Sequence, residues 1–302
     1  MNDHDSKGIS YAGGFFILIA FAIGALVLTN EIINPPIWKS LTGKSMEAIK
    51  QGLIGPEDSD AMKIMQALTA IFGFFVPAVL AAYVLNRKPF KLLGFPGNIK
   101  ASQAGLVILI ILSGMIVSAS LAYFNERIPI SDSWRIQFDK MEEDYNKQVE
   151  AIVSLRNIKD YILALIIMGF LPALCEETLF RGGLQNFLTR STKIPWISIV
   201  IVSIIFSLAH FSFYGFLTRF FLGVILGLIY HYSGRLWLSV LAHFINNTII
   251  ITILYAYTQK GKPINEAMQE NAVGYWGIIA LPVVVGLFIL FKNISSGKRS
   301  FA

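Results

Sequence analysis

Long apolar runs recur along the chain and restrict its fold more than any other feature. The first, residues 11–29, contains no charged side chain. A helix of that length, at about 1.5 Å per residue, crosses roughly 30 Å of hydrocarbon. We interpret eight runs as membrane spans: residues 11–29, 61–85, 101–124, 161–190, 195–213, 217–232, 236–257 and 274–291. The sequence therefore predicts an all-α, polytopic membrane protein, a bundle of about eight transmembrane helices.

The composition agrees with membrane insertion. Of the 302 residues, 55% are hydrophobic and 15% charged, and the mean hydropathy is +0.60. These values favour one membrane domain over residues 1–302 rather than two soluble domains. Nucleic acid is not an expected partner, because the basic residues are scattered through short connections. Cys175 has no partner for an intrachain disulfide, and one cysteine with four histidines excludes a zinc-finger cluster.

The charges in the connections predict an orientation. Short connections rich in Lys and Arg stay in the cytoplasm. If the amino terminus is cytoplasmic, the inner segments hold only Asp3 and Asp5 as acids. Their basic residues are Lys7, Arg87, Lys88, Lys91, Lys100, Arg190, Lys193, Arg235, Lys292, Lys298 and Arg299. We therefore expect a multi-pass protein of the cell inner (plasma) membrane with both termini in the cytoplasm.

Residues 125–160 differ from the rest of the chain because they are acidic and amphipathic. Their apolar residues are spaced by three or four: Trp134, Phe138, Met141, Tyr145, Val149 and Ile152. This spacing places them on one face of an extramembrane helix. The favoured interpretation is a soluble helix packed on the loop side of the bundle, and the alternative is a lid over a site.

Three charged residues interrupt the fourth span, at Glu176, Glu177 and Arg181. A carboxylate in a bilayer costs several kcal/mol unless it is paired or reaches water, so such residues indicate function. Glu177 and Arg181 are four residues apart and can pair on one helical face. Glu176 is rotated by about 100° from Glu177 and is left free to act.

Two further runs bring imidazoles into the membrane, Phe206 to His210 and His243 to Asn247. By helical rise, Glu176 and His210 lie about 21 and 22 Å from the inner surface, whereas His243 lies about 12 Å deep. His243 reaches the same level only if the turn at residues 233–234 dips into the bundle, which we predict. Because His243 and Asn247 are four residues apart, we also expect them to share a partner.

A carboxylate and a histidine at one depth can activate water. Glu176 would accept a proton while His210 orients the water, and His243 and Asn247 would donate to the oxyanion. Zn²⁺ bound by Glu176, His210 and His243 is an alternative, although the chain has no HExxH motif. Each residue alone is compatible with a structural hydrogen bond between helices, but their joint occurrence favours a site. His231, at a span end, and His4, near the terminus, are not expected to belong to it.

At these residues the chain resembles the CPBP family of intramembrane proteases. That family includes the CAAX prenyl endopeptidase and bacterial abortive-infection and bacteriocin-immunity proteins. Its pattern, EExxxR, then FxxxH, then HxxxN or HxxxD, is similar to the runs 176–181, 206–210 and 243–247, which occur in that order. The resemblance covers about residues 161–251 and implies that this part is the catalytic core.

The resemblance implies an endopeptidase that hydrolyses a peptide bond of a membrane-associated protein or peptide. It implies that Glu176 and His210 activate water and that His243 and Asn247 form the oxyanion site. Glu177, Arg181 and Phe206 would support them. Family members are described both as metal-dependent and as glutamate proteases, so the zinc alternative stays open. Prenylated substrates belong to the eukaryotic members and are not implied here.

Two functions from other classes also stay open. A non-catalytic immunity or scaffold protein would keep the fold and bind a bacteriocin-like peptide, although the intact motifs argue against it. A proton-coupled transporter would also place Glu and His inside the membrane. It would need polar residues along a path to both surfaces, and the first three spans contain few.

Overall fold

The computed structural model describes residues 5–153, 155–262 and 274–295. These residues form helices, and the one isolated β-bridge among them joins Ser6 to Asn86. The predicted all-α class is confirmed. We number the main helices α1 (Tyr11–Thr42), α2 (Pro56–Leu85), α3 (Ala101–Asn125), α4 (Asp132–Ile152), α5 (Ile158–Thr192), α6 (Pro195–Leu208), α7 (Phe216–Ser233), α8 (Leu236–Gln259) and α9 (Gly274–Ser295).

Seven of these helices, all except α4 and α6, are long and apolar enough to cross a membrane. The chain is a multi-pass membrane protein. The predicted fifth span, residues 195–213, is wrong in its last part. α6 is helical for 14 residues, or about 21 Å. The chain then turns after Leu208, and Phe211 adopts a left-handed φ of 51°, which cannot continue a right-handed helix. His210 therefore lies on the turn.

Three helices continue through a proline because a wider, π-type segment precedes it. Thr29–Ile33, Thr69–Phe75 and Leu165–Phe170 come before prolines 35, 77 and 172 of α1, α2 and α5. Proline lacks an N–H and crowds the carbonyl of the preceding turn, and a widened turn relieves both effects. As a result α1 extends well beyond residue 29, the predicted end of the first span. Separately, α2 begins at Pro56, before the predicted start at residue 61.

One end of the bundle collects basic segments that were predicted to lie on a common side. Lys88 Nζ is 3.1 Å from Asp5 Oδ1, and the hydrogen bond from Lys88 lowers the pKa of the Asp5 carboxyl. Arg235, at the α7–α8 turn, donates a hydrogen bond to the carbonyl of Pro96, 2.9 Å away. The amino-terminal segment, the α2–α3 connection and the α7–α8 turn therefore meet, as the charge pattern predicts.

α4 is the predicted amphipathic helix, and it lies on the connection between α6 and α7. Phe138 stacks on Phe213 of that connection, with ring centroids 4.3 Å apart. Three other predicted stripe residues are partly buried: Tyr145, Val149 and Ile152. Trp134 and Met141 were predicted on the same packed face, but they are 55% and 38% exposed. The connection beneath this part of α4 is too short to cover the whole apolar face.

Candidate active site

The charged part of α5 runs into a widened segment, Thr178–Gln185, in which every residue is buried. No proline follows directly, unlike the three other widened segments, but Gly182 and Gly183 lie within it. A Cβ at Gly183 would come within 2.4 Å of Leu18 Cδ2, and one at Gly182 within 2.9 Å of Leu93 O. The two glycines therefore let α5 approach α1 and the α2–α3 connection closely.

Glu177 and Arg181 form a fully buried ion pair, with Arg181 Nη1 2.9 Å from Glu177 Oε1. The pair predicted from their spacing is confirmed. The same oxygen lies 3.1 Å from His243 Nδ1 on α8, a contact that was not predicted. Arg181 Nη2 donates to the Gly223 carbonyl on α7, 3.2 Å away. One carboxylate thus connects α5 to α8, and its arginine partner connects α5 to α7.

A second polar contact joins α5 to α7 one turn further along. Gln185 Nε2 donates to the carbonyl of Gly227, 2.9 Å away, four residues after both Arg181 and Gly223 on their respective helices. Glycine also permits the close approach of α7 to α6, since a Cβ at Gly223 would lie 2.9 Å from Ser203 Cβ. In an apolar surrounding, such side-chain to carbonyl bonds fix one helix against another. We call this contact region between α5 and α7 the polar seam.

Phe206 on α6 packs between the charged and aromatic groups of the site. The Arg181 guanidinium carbon lies 4.6 Å from its ring centroid. The imidazoles of His210 and His243 lie 5.0 and 5.9 Å from it, centroid to centroid. The structure therefore brings the two histidines together as predicted, with one phenylalanine contacting both. The α7–α8 turn that positions His243 is held by a hydrogen bond from the Leu236 N–H to Gly94 O, 2.9 Å long.

Both imidazoles are held through Nδ1. His210 Nδ1 is 2.8 Å from the Phe206 carbonyl oxygen, and His243 Nδ1 is bonded to the Glu177 carboxylate. A carbonyl and an ionised carboxylate only accept hydrogen bonds, so each Nδ1 carries a proton. In both rings Nε2 is left to accept a hydrogen bond from water, or to donate one when the ring is protonated.

Glu176 has a different environment from its neighbour Glu177. Within the described residues Glu176 makes no side-chain hydrogen bond or ion pair, whereas Glu177 makes both, although Oε2 of each carboxyl is buried without a partner. The Glu176 carboxylate interacts electrostatically with the His210 imidazole and with Arg181. At least one oxygen of the carboxyl is therefore turned into the protein and not toward lipid.

Asn247 is bonded to backbone and to its neighbour on α8. Its Nδ2 donates to the Gly169 carbonyl of α5, 3.3 Å away, and its Oδ1 accepts from Asn246 Nδ2 at 3.3 Å. The expectation that His243 and Asn247 share a partner is wrong, because they bind Glu177 and Gly169, respectively, at separate levels of α5. They lie on one face of α8, but α5 runs along that face and offers each a different group.

A cavity of about 720 Å³ borders these groups. His210, His243 and Asn247 line it, whereas Glu176 does not. Arg219 and Asn246 also line it and were not predicted. Two features of the sequence could have indicated them. Arg219 is a charge near the start of the predicted sixth span, residues 217–232, and Asn246 is a second asparagine beside Asn247.

The α6–α7 connection and α4 form the outer part of the cavity. Ser212 Oγ donates to Glu142 Oε2, 2.7 Å away, and Tyr214 Oη donates to Asp139. The hydrogen bond with Asp139 raises the pKa of Tyr214 to about 12. Tyr214 is therefore a neutral donor at physiological pH, and α4 is joined by side chains to the turn that bears His210.

Among the described residues, the third histidine, His231, does not join this group. His231 does not line the cavity and lies beside Tyr232, with ring centroids 5.1 Å apart. His4 lies outside the described residues. Within the part of the chain that the structure describes, no three His, Cys, Asp or Glu side chains are grouped as metal ligands. The zinc set given as an alternative, Glu176, His210 and His243, is not grouped in this way, and the zinc alternative stays a prediction.

The fold and this arrangement define a multi-pass α-helical membrane protein with buried carboxylates and imidazoles beside a cavity between its helices. Residues 158–249 match the family model described as type II CAAX prenyl endopeptidase Rce1-like. The matched segment contains the three motifs on which the resemblance was based, and the resemblance is therefore confirmed.

Two curated proteins are similar to the chain. The "Uncharacterized 24.3 kDa protein" of Escherichia coli is 37% identical over 98 residues, which are 31% of this chain and 45% of that protein. The "Putative membrane peptidase YdiL" of Bacillus subtilis (strain 168) is 25% identical over 203 residues, which are 67% of this chain and 78% of that protein. The chain therefore spans less than half the length of the first relative. No solved structure matches significantly.

Proposed function

We propose that the protein is an intramembrane endopeptidase that hydrolyses a peptide bond of a membrane-associated protein or peptide. One observation carries the proposal. His210 and His243 have Nδ1 fixed by hydrogen bonds and line one cavity, and Glu176, whose charge acts on the His210 imidazole, has a buried, unpartnered carboxylate oxygen. An unsatisfied buried acceptor that interacts with an oriented imidazole is suited to act as a general base on a bound water.

In the proposed reaction Glu176 accepts a proton from water that is oriented by His210 Nε2. The water oxygen forms a bond to the carbonyl carbon of the substrate, which becomes tetrahedral. The proton then passes from Glu176 to the leaving nitrogen, and the carbon–nitrogen bond breaks. Glu176 does not line the cavity, so the proposed reaction requires its carboxyl to move toward the cavity when substrate and water occupy it. Catalytic hydrogen bonds commonly tighten only in the bound complex.

Two groups stabilise the oxyanion in this proposal. Asn247 Nδ2 has a second N–H beyond the one donated to Gly169. His243 donates through Nε2 when its ring is protonated, because Nδ1 is bonded to Glu177. A preorganised donor of this kind contributes roughly 3–4 kcal/mol in a dry site. Glu177 acts as a positioning residue for His243, and Arg181 holds Glu177.

The comparisons support a protease. The Rce1-like match covers residues 158–249 and includes each residue in the proposed mechanism. The Bacillus subtilis relative carries the name of a membrane peptidase. We also propose that the protein lies in the cell inner membrane with the basic end of the bundle on the cytoplasmic side. In this orientation α4 and the cavity opening face the opposite side.

The test compares the membrane peptidomes of a wild-type strain and a Glu176→Gln strain. The substitution keeps the shape of the side chain but removes the base, and we expect cleavage to fall about 10²- to 10⁴-fold. Glu31→Gln is the matched control, because Glu31 is exposed on α1, away from the site. Unchanged peptide products in the Glu176→Gln strain, at equal protein level, would exclude Glu176 as the base.

Chelation separates the two chemistries that were left open. The purified protein, treated with EDTA and assayed in vesicles on peptides that span the cleavage sites found above, should keep its activity if Glu176 alone activates water. Loss of activity on chelation and recovery with added Zn²⁺ would favour the metal-dependent alternative. A non-catalytic scaffold would give identical peptidomes in both strains and would bind peptide without cleaving it.

A further inference from the structure

Arg219 is a cation of the cavity that the proposed reaction does not use. It lies in the first turn of α7 and lines the same cavity as His210, His243 and Asn247. Its guanidinium interacts electrostatically with the His210 imidazole. An arginine in the substrate cavity, near the residue that orients water, is well placed to act on the substrate.

The guanidinium of Arg219 is partly buried and lacks a full set of partners. Nη1 is inaccessible to solvent and makes no hydrogen bond. Its aromatic neighbour is Tyr145 of α4, whose ring centroid is 5.2 Å from the guanidinium carbon. Among the described residues no carboxylate forms an ion pair with Arg219, in contrast to the buried Arg181. A buried guanidinium donor without an acceptor is costly, so an incoming acceptor would be bound favourably.

The local backbone holds this guanidinium in place. A Cβ at Gly215 would lie 1.9 Å from Arg219 Nη1, so the side chain occupies the space that only glycine leaves free. Gly215 and Thr218 also line the cavity, which shows that the amino-terminal turn of α7 faces it. The positive end of an 18-residue helix and the Arg219 side chain therefore lie at the same wall of the cavity, with Nη1 packed against Gly215.

We propose that Arg219 binds a carboxylate of the peptide substrate and so determines specificity. This inference rests on the proposed function, because it assigns a substrate class to the same cavity. The guanidinium presents parallel N–H donors that match the two oxygens of a carboxylate. Two sources share this chemistry, the carboxyl terminus of the substrate and an Asp or Glu side chain near the cleaved bond.

The acids of the cavity limit where such a carboxylate can bind. Glu142 and Glu126 both line it, and Glu142 Oε2 already accepts the Ser212 hydroxyl. A substrate carboxylate would be repelled from these groups and attracted to the amino-terminal turn of α7. The preference for an anion is therefore confined to the Arg219 side of the cavity.

The test uses randomised octapeptides with the purified full-length protein in phosphatidylcholine vesicles. One pool ends in a carboxylate and a matched pool in a carboxamide, and a second pair differs by Glu against Gln at internal positions. Mass spectrometry gives relative kcat/KM values for wild type, Arg219→Met and Arg219→Lys. We expect wild type to favour one carboxylate pool by about 10- to 100-fold, the size of a charge-assisted hydrogen bond.

In Arg219→Met the ratio of that pair should fall to about one, whatever the absolute rate of cleavage of the neutral pool. Arg219→Lys should recover part of the preference, because it restores the charge but not the paired donors. A preference within the carboxylate and carboxamide pair identifies the carboxyl terminus as the group that Arg219 binds. A preference within the Glu and Gln pair identifies an acidic side chain. Arg127→Met, which removes an exposed arginine outside the cavity, should leave both ratios unchanged.

Binding to the Glu176→Gln protein keeps this test separate from hydrolysis. The same pools are measured by equilibrium binding to Glu176→Gln with and without Arg219→Met. A carboxylate preference that Arg219→Met abolishes supports the role of Arg219 even if no variant cleaves peptide. Equal binding of acid and amide pools by Glu176→Gln, or a preference that survives Arg219→Met in a folded protein, would overturn it.

Discussion

Glu176 and Glu177 are adjacent in the sequence but belong to two regions that differ in how they use polar groups. Glu177, at the polar seam, accepts from Arg181 and His243, and Arg181 in turn donates to the Gly223 carbonyl. Oε2 of both glutamates is buried without a partner, but Glu176 and the cavity residue Arg219 form no side-chain hydrogen bond or ion pair within the described residues. The seam therefore uses its charges to hold helices together, whereas Glu176 and Arg219 have no ion-pair partner among those residues.

Breaking the polar seam should lower the stability of the protein more than any change at the cavity. Arg181→Met would leave the Glu177 carboxylate buried without its counterion, which costs about 3–5 kcal/mol. We expect thermal unfolding in detergent at a much lower temperature, or failure to accumulate folded protein. A loss below about 1 kcal/mol would contradict the structural role of the pair.

A double variant tests whether the charge or the packing causes that loss. Glu177→Gln with Arg181→Met removes both charges and keeps a hydrogen-bond acceptor for His243. Replacing a buried ion pair by neutral groups of similar volume is often close to neutral in stability. The double variant should therefore unfold at a higher temperature than Arg181→Met alone.

The close contact between α7 and α6 gives a second, smaller prediction. Gly223→Val would place side-chain carbons against Ser203 on α6, whose Cβ is 2.9 Å from the position of an added Cβ. Overpacking of this kind costs about 1–3 kcal/mol. Gly24→Val on α1 is the matched control, because Gly24 is exposed and an added Cβ there meets nothing within 4 Å. The measurement is thermal unfolding, and equal values for the two variants would contradict the predicted close packing.

The sequence predicts the spans well because a bilayer requires long apolar helices, and hydropathy detects them directly. It predicts helix ends poorly where local geometry decides them. The widened turn Thr29–Ile33 carries α1 past Pro35, and the turn at Phe211 ends α6 early. Both depend on backbone conformations that an apolar run does not specify.

Contacts inside one helix could be predicted at the site, and contacts between helices could not. The Glu177–Arg181 pair follows from a four-residue spacing. The hydrogen bond between Glu177 and His243 joins α5 to α8, and only the packing of those helices creates it. Arg219 was missed for the same reason. Its charge lies near a predicted span end, and only the packing of the helices shows that it lines the cavity.

The smallest predicted effect concerns the cavity wall that α4 provides. Ser212 is 6% exposed and donates to Glu142 of α4. Ser212→Ala removes this bond and should weaken the contact between α4 and the His210 turn by about 1 kcal/mol, since Glu142 is only partly buried. Hydrogen exchange of residues 132–152 should quicken by about 5-fold, because 1 kcal/mol changes a local opening equilibrium by that factor.

Ser133→Ala is the control for this change, because Ser133 is exposed on α4 and bonds only within its own segment, to Ser131. If α4 acts as a lid, Ser212→Ala should also raise the rate at which peptide reaches the cavity, whereas a helix that is merely packed there would change exchange but not cleavage. Faster exchange with unchanged kcat/KM would therefore assign α4 a structural role. The peptide substrate would then reach Glu176 and Arg219 without any opening of α4.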